Sequence, residues 1–261
     1  MSKINVVRLI NVNYNNNAYR ISDETLHFNG KSTLISLQNG GGKSVLVQML
    51  TAPFVHPKYR NTKDRLFESY FTTNKPSFIL VEWALDQGAG YVLTGLMVRK
   101  SQDMEEDRKE NLDIIGIVSE YQSPCIQDIH HLPVVEKGKK EMILKNFNSC
   151  RQLFETYKKD RDMKFFYYDL TNYAQSRQYF NKLMEYQINY KEWETIIKKI
   201  NLKESGLSDL FADCKDEKGL TEKWFLEAIE SKLNKDKNRI KEFQSILEKY
   251  AGQYKDCLLY T

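Results

Sequence analysis

Residues Ser32 to Leu50 read STLISLQNGGGKSVLVQML: a β-branched apolar run, three consecutive glycines, a lysine, a serine and an apolar helical stretch. Three glycines in a row suit neither a strand nor a helix, because each brings backbone freedom that a regular element must remove. They suit a tight loop between the two. A phosphate chain needs several N–H donors at once, and a backbone without β-carbons supplies them by closing around the anion. The predicted helix over Val45 to Leu50 aims its unpaired first-turn N–H groups and its positive dipole end at the same place. Asn39, Gly40, Gly41 and Gly42 are therefore the candidate cradle, with Lys43 as the mobile charge for the outer phosphates. The Ser44 hydroxyl is the candidate ligand for a bridging Mg²⁺. A glycine-rich structural turn that merely precedes Lys-Ser is the plain alternative.

The remaining composition is that of a globular chain. It has 261 residues, 41% hydrophobic and 28% charged, with a formal net charge of +4. That length supplies a proper core, and so mild a charge permits contact with nucleic acid without demanding it. No run approaches the roughly 18 apolar residues of a membrane helix, and Met1 to Asn17 lacks the pattern of a signal peptide. The expectation is a cytoplasmic protein with no membrane partner. Cys125, Cys150, Cys214 and Cys257 form no CxxC pair and read as reduced structural thiols.

Strand signals dominate the first half. INVVRLI at Ile4 to Ile10 reads as a strand, NVNYNNNAYRI as a polar turn region, and Leu26 to Phe28 and Thr33 to Leu37 as two further short strands. After the helix, Pro53 and Pro57 open a loop carrying Lys58, Arg60, Lys63 and Arg65. SFILVEWALD and YVLTGLMVRK, joined by QGAG, predict a β-hairpin. Asn111 to Val118 suggests another strand, and Gln122 to Lys140 is irregular.

Helical patterning grows from Glu141 onward, with MILKNFNSCRQLFETYKK and SRQYFNKLMEYQ as amphipathic helices and FFYYDL as a short strand between them. Finally, Ile229, Leu233, Asp236, Ile240, Phe243, Leu247, Tyr250, Tyr254 and Cys257 follow a 4-3 spacing that fits either a coiled coil or an ordinary amphipathic helix. The pattern runs into CLLYT without a stop signal, which reads as a helix that continues.

LQNGGGKS resembles the GxNGxGKS loop of SMC, RecF and ABC-type ATPases, with Asn39, Gly40, Gly42, Lys43 and Ser44 on matching positions. Leu37 departs from the usual first glycine. The N-terminal strand, the second strand and the hairpin after the first helix are similar to the opening of SMC-like heads. The stretch NYKEWETIIKKINLKESGLSDLFADCKDEKGLTEKWFLEAIE looks like the approach to the coiled coil in MukB-like and Wadjet-type (JetC-like) bacterial relatives. The resemblance implies an α/β P-loop NTPase fold: a mixed sheet with an antiparallel lobe, a helical second half and the start of a coiled coil. Residues 1–224 would be the N-terminal part of an ATPase head, and 225–261 a coiled-coil root or amphipathic helix.

It also implies ATP and Mg²⁺ as ligands, DNA as a partner, and a C-terminal head half or second subunit carrying the signature loop and the Walker B carboxylates. A nucleotide-dependent homodimer and a role in chromosome segregation or in defence against plasmids and phage follow from the same likeness. FILVE ends at Glu82 without a preceding Asp, and reads better as the first strand of the hairpin than as Walker B. SGLSDL at Ser205 to Leu210 shares only letters with a signature loop. Gln122 and Gln127 are positional candidates for a Q-loop. The cations at Lys58, Arg60, Lys63 and Arg65 suit a γ-phosphate, a nucleic-acid backbone or a solvated face. His130 and His131 lack companion ligands at metal spacing. Tyr14, or another aromatic or arginine between Asn13 and Arg20, is a candidate for stacking on the base. ATP turnover is expected only with the missing half, and the alternative is a nucleotide-dependent scaffold without turnover. A small P-loop kinase or GTPase would need a lid or an NKxD-like element, and the sequence has neither.

Overall fold

The computed structural model describes residues 2–14, 18–38, 41–61, 66–101, 111–137 and 142–194. Eight strands are present there: β1 (Lys3–Tyr14), β2 (Tyr19–His27), β3 (Ser77–Ala84), β4 (Tyr91–Lys100), β5 (Leu112–Tyr121), β6 (Val135–Lys137), β7 (Met142–Leu144) and β8 (Lys164–Asp169). The α-helices are α1 (Lys43–Thr51), α2 (Phe147–Lys159) and α3 (Tyr173–Glu185). Six strands form one sheet in the order β2-β1-β3-β4-β5-β8, and β6 pairs with β7 separately. Every pairing among the described residues is antiparallel, so the expected mixed sheet is corrected to an antiparallel one.

The sheet is apolar on both faces, which is why its central strands read as continuous hydrophobic runs and carry helices on either side. Ile79, Val81 and Trp83 of β3 face α1 and α3, which contribute Val45 and Met49, and Tyr179, Phe180 and Leu183. Phe78 and Leu80 face the other way, toward Cys150 and Phe154 of α2 and toward Ile129, Leu132 and Val134 of the loop after β5. Both helices that follow β7 start at asparagine caps: Asn146 accepts from the Ser149 N–H and Asn172 from the Gln175 N–H. Burial pushes the Cys150 thiol up to about 12, as befits a structural thiol. Cys125 is half-buried and also free, whereas Cys214 and Cys257 lie outside the described residues.

Three local expectations are corrected. The turn expected after Ile10 is instead the far end of β1, continued to Tyr14 and answered by β2 from Tyr19. Thr33 to Leu37 forms no strand; the segment has no regular structure and is largely exposed, with Leu34 at 95% of its free area. The helix expected from Glu141 begins only at Phe147, because Met142–Leu144 pairs with Val135–Lys137 first. The 4-3 pattern beyond Ile229, the expected boundary at 224–225 and SGLSDL lie outside the described residues. The division between the two units of the chain falls after Lys198.

β1 carries a kink of its own. Asn11 is fully buried with φ of 58°, a left-handed conformation that short polar side chains tolerate better than others. Before it, Val7 and Leu9 face α1 while Val6 and Ile10 face away; after it, Val12 and Tyr14 face α1. The register with β2 is unchanged on either side, from Ile10 with Asp23 to Val12 with Ile21. One residue thus shifts the alternation of the strand without shifting its pairing.

Candidate functional site

The glycine loop is held between the end of the β1–β2 hairpin and α1. Gly42 is the residue before the helix, with φ of 84°, and its carbonyl accepts the first helical bond from Leu46 N–H at 2.8 Å. A Cβ there would be strained by that φ and would sit 3.5 Å from the Tyr14 ring. At Gly41 a Cβ would lie 2.9 Å from the Gln38 carbonyl oxygen, which accepts the Gly41 N–H at 2.9 Å. Both positions therefore need glycine, one for its conformation and one for space. No side chain among the described residues caps α1 and no acid stands in its first turn, so its first-turn N–H groups have no side-chain acceptor there.

Lys43 extends back over the loop and donates to the Leu37 carbonyl at 2.8 Å. The contact is to the main chain of Leu37, so it does not depend on which side chain stands there. Ser44 is exposed in the first turn, beside Lys43. Asn39 and Gly40 lie outside the described residues. The Tyr14 ring that walls Gly42 stacks on Tyr19 with centroids 5.2 Å apart, and Tyr19 is 54% exposed. The pair is an aromatic step at the mouth of the loop.

Behind the loop, α1 is pinned by a buried polar chain. Gln48 donates to the Arg60 carbonyl at 2.6 Å and accepts from the Tyr70 hydroxyl at 2.7 Å. Arg60 is 1% exposed and donates through Nε to the Ala52 carbonyl at 3.1 Å, at the negative end of α1. This corrects the solvated-face expectation for Arg60: it is closed off from solvent and holds the helix terminus. Lys58 is exposed over the Tyr59 ring, and Lys63 and Arg65 lie outside the described residues. Tyr70→Phe is expected to leave the Gln48 oxygen unsatisfied and to cost about 1–3 kcal/mol, read as a lower urea midpoint with unchanged slope.

Glu82 is not part of this site. It lies on β3 among residues facing away from α1, 6% exposed, accepting from Asn5 Nδ2 at 2.7 Å and from the Tyr121 hydroxyl. Burial and the adjacent carboxylate hold that hydroxyl far above its ordinary range. Glu82→Gln is expected to lower stability by about 1–2 kcal/mol and to leave binding at the glycine loop unchanged, as a ligand titration of the variant would check.

Gln127 is buried on the same far face, in the loop after β5, and donates to the Glu120 carbonyl at 3.4 Å. Gln122 is exposed. His131 pairs with Asp128 at 2.7 Å and His130 stacks on His27, both exposed. Among the described residues no group of three or more His, Cys, Asp or Glu is placed to hold a metal. No described helix is long and apolar enough to cross a membrane. Compared with known proteins, the chain matches no family model and no curated sequence.

Proposed function

We propose that this chain is the N-terminal portion of an SMC-like ATPase head that binds Mg·ATP at the loop Asn39 to Ser44 and works on DNA together with a C-terminal head half. The observation that carries the reading is the loop itself: a left-handed Gly42 opens an uncapped helix, and Lys43 reaches back to the Leu37 carbonyl. In that reading Lys43 neutralises the outer phosphates, Ser44 ligates Mg²⁺, and the backbone of residues 39–42 supplies the N–H donors. The Tyr14–Tyr19 step at the mouth suits a stacked base.

A partner half is favoured by Ser32 to Gln38. This apolar, β-branched segment leads directly into the glycines yet pairs with no strand among the described residues, and Leu34 and Ile35 are exposed. An exposed run of strand-forming composition offers its backbone for pairing with another segment. The second reading, a nucleotide-dependent scaffold without turnover, is favoured by Glu82, whose carboxylate is turned to the face opposite α1. Titration of a fluorescent ATP analogue with and without Mg²⁺, on wild type and Ser44→Ala, tests the proposal. Binding that strengthens with Mg²⁺ only when Ser44 is present supports it; no binding under either condition removes it. For DNA, the expected result is retention on a duplex at low salt that weakens steeply as salt rises.

A further inference from the structure

We infer that Asn11 is a positioning residue for the glycine loop, acting through Tyr14. The inference rests on the nucleotide reading of that loop for its functional meaning and on the hairpin geometry for its physics. A left-handed backbone in a non-glycine residue at the heart of a sheet is a cost that the surroundings must offset. Here they do so heavily. The Asn11 side chain donates to the Thr73 hydroxyl at 2.9 Å, to the Lys75 carbonyl at 3.3 Å and to the Pro76 carbonyl at 3.1 Å, and accepts from Arg20 at 2.9 Å. Its carbonyl accepts from the Ser77 hydroxyl at 2.6 Å.

What the kink achieves is a change of face. With regular alternation, residues 7, 9, 11 and 13 of β1 would share the α1 side, and Tyr14 would point away from it. With the kink, Val12 and Tyr14 join Val7 and Leu9 on that side. Tyr14 then meets Gly42, with ring carbons 3.5 and 3.7 Å from the position of a Gly42 Cβ, and stacks on Tyr19, its partner across the ladder. Irregularities of this type re-aim side chains beside binding sites. The strain at Asn11 is thus spent on bringing an aromatic wall to the loop.

The test uses the full chain with Asn11→Ala, Asn11→Gly, Tyr14→Ala and the double variant Asn11→Ala/Tyr14→Ala, each read in two ways. The first readout needs no nucleotide: the ring-current displacement of the Gly42 proton resonances. It is expected to be present in wild type and in Asn11→Gly, which keeps the left-handed conformation, and lost in Asn11→Ala and Tyr14→Ala. The second is Mg·ATP affinity. Asn11→Ala is expected to weaken it about tenfold in the wild-type background and less than twofold when Tyr14 is already alanine, the non-additivity of a residue that acts through another. If Asn11→Ala does not fold, Asn11→Ser supplies the same comparison. A Gly42 resonance that keeps its wild-type position in Asn11→Ala overturns the proposal, and so does an equal loss of affinity in both backgrounds. If wild type binds no Mg·ATP, the nucleotide reading fails, and the resonance comparison still decides whether Asn11 positions Tyr14.

Discussion

Lys43→Ala is expected to abolish measurable Mg·ATP binding while leaving the fold intact. The side chain is exposed and donates to a main-chain carbonyl of the loop it serves, so its removal opens no cavity. A charge-assisted contact to phosphate contributes about 1.5–3 kcal/mol per bond, so loss of one such bond weakens binding by about ten- to a hundredfold, and loss of two takes it out of the measurable range. Calorimetric titration of the variant reads the loss, and an unchanged thermal transition shows that the chain is still folded. Wild-type affinity in Lys43→Ala would mean that the glycines form a structural turn.

The second large effect is expected away from the loop. Arg8 is 8% exposed and clamps Asp23 with two bonds, of 2.8 Å and 2.6 Å, while its third nitrogen donates to the carbonyls of Ile129 and His130. It therefore ties the β1–β2 hairpin to the loop after β5. Asp23 stands diagonal to Arg8 across the ladder, where long side chains meet. Arg8→Ala leaves a half-buried carboxylate and two carbonyls without their donor and is expected to cost about 1–3 kcal/mol. Replacing both partners, as in Arg8→Met with Asp23→Leu, is expected to cost far less. Urea unfolding of the single and double variants checks both statements. A single variant as stable as the double would show that the pair is solvated.

The same two regions explain what the sequence could and could not reveal. The β3–β4 hairpin, β5, α1 and β8 were legible because their apolar runs are bounded by glycine, proline or charge, and β3, β4 and β5 also pair with their neighbours in the chain. The continuation of β1 through Asn11 to Tyr14 was not, because a buried, left-handed asparagine looks like turn chemistry in a linear reading; only tertiary partners in the Thr73 to Pro76 loop hold it in a strand. Thr33 to Leu37 shows the reverse. Its composition suits a strand, but strand formation requires a neighbour, and none is present among the described residues.

Gly41 to Ser44 were legible because their contacts lie within a few residues. Lys43 reaches Leu37, and Gly41 reaches Gln38. Tyr14 could be named only as one of several candidates, since its approach to Gly42 depends on the kink three residues earlier. Arg60 was misplaced because a cation in a loop is read as solvated. Its burial against the end of α1 is a long-range outcome that spacing does not encode.

The central proposal is that the loop from Asn39 to Ser44 binds Mg·ATP and that turnover awaits a C-terminal head half. Calorimetric titration of the full chain with Mg·ATP, combined with a phosphate-release assay on the same sample, tests both parts at once. The account predicts saturable binding of one nucleotide per chain with no turnover above background. Absence of binding at millimolar nucleotide, or sustained phosphate release from the isolated chain, would contradict it.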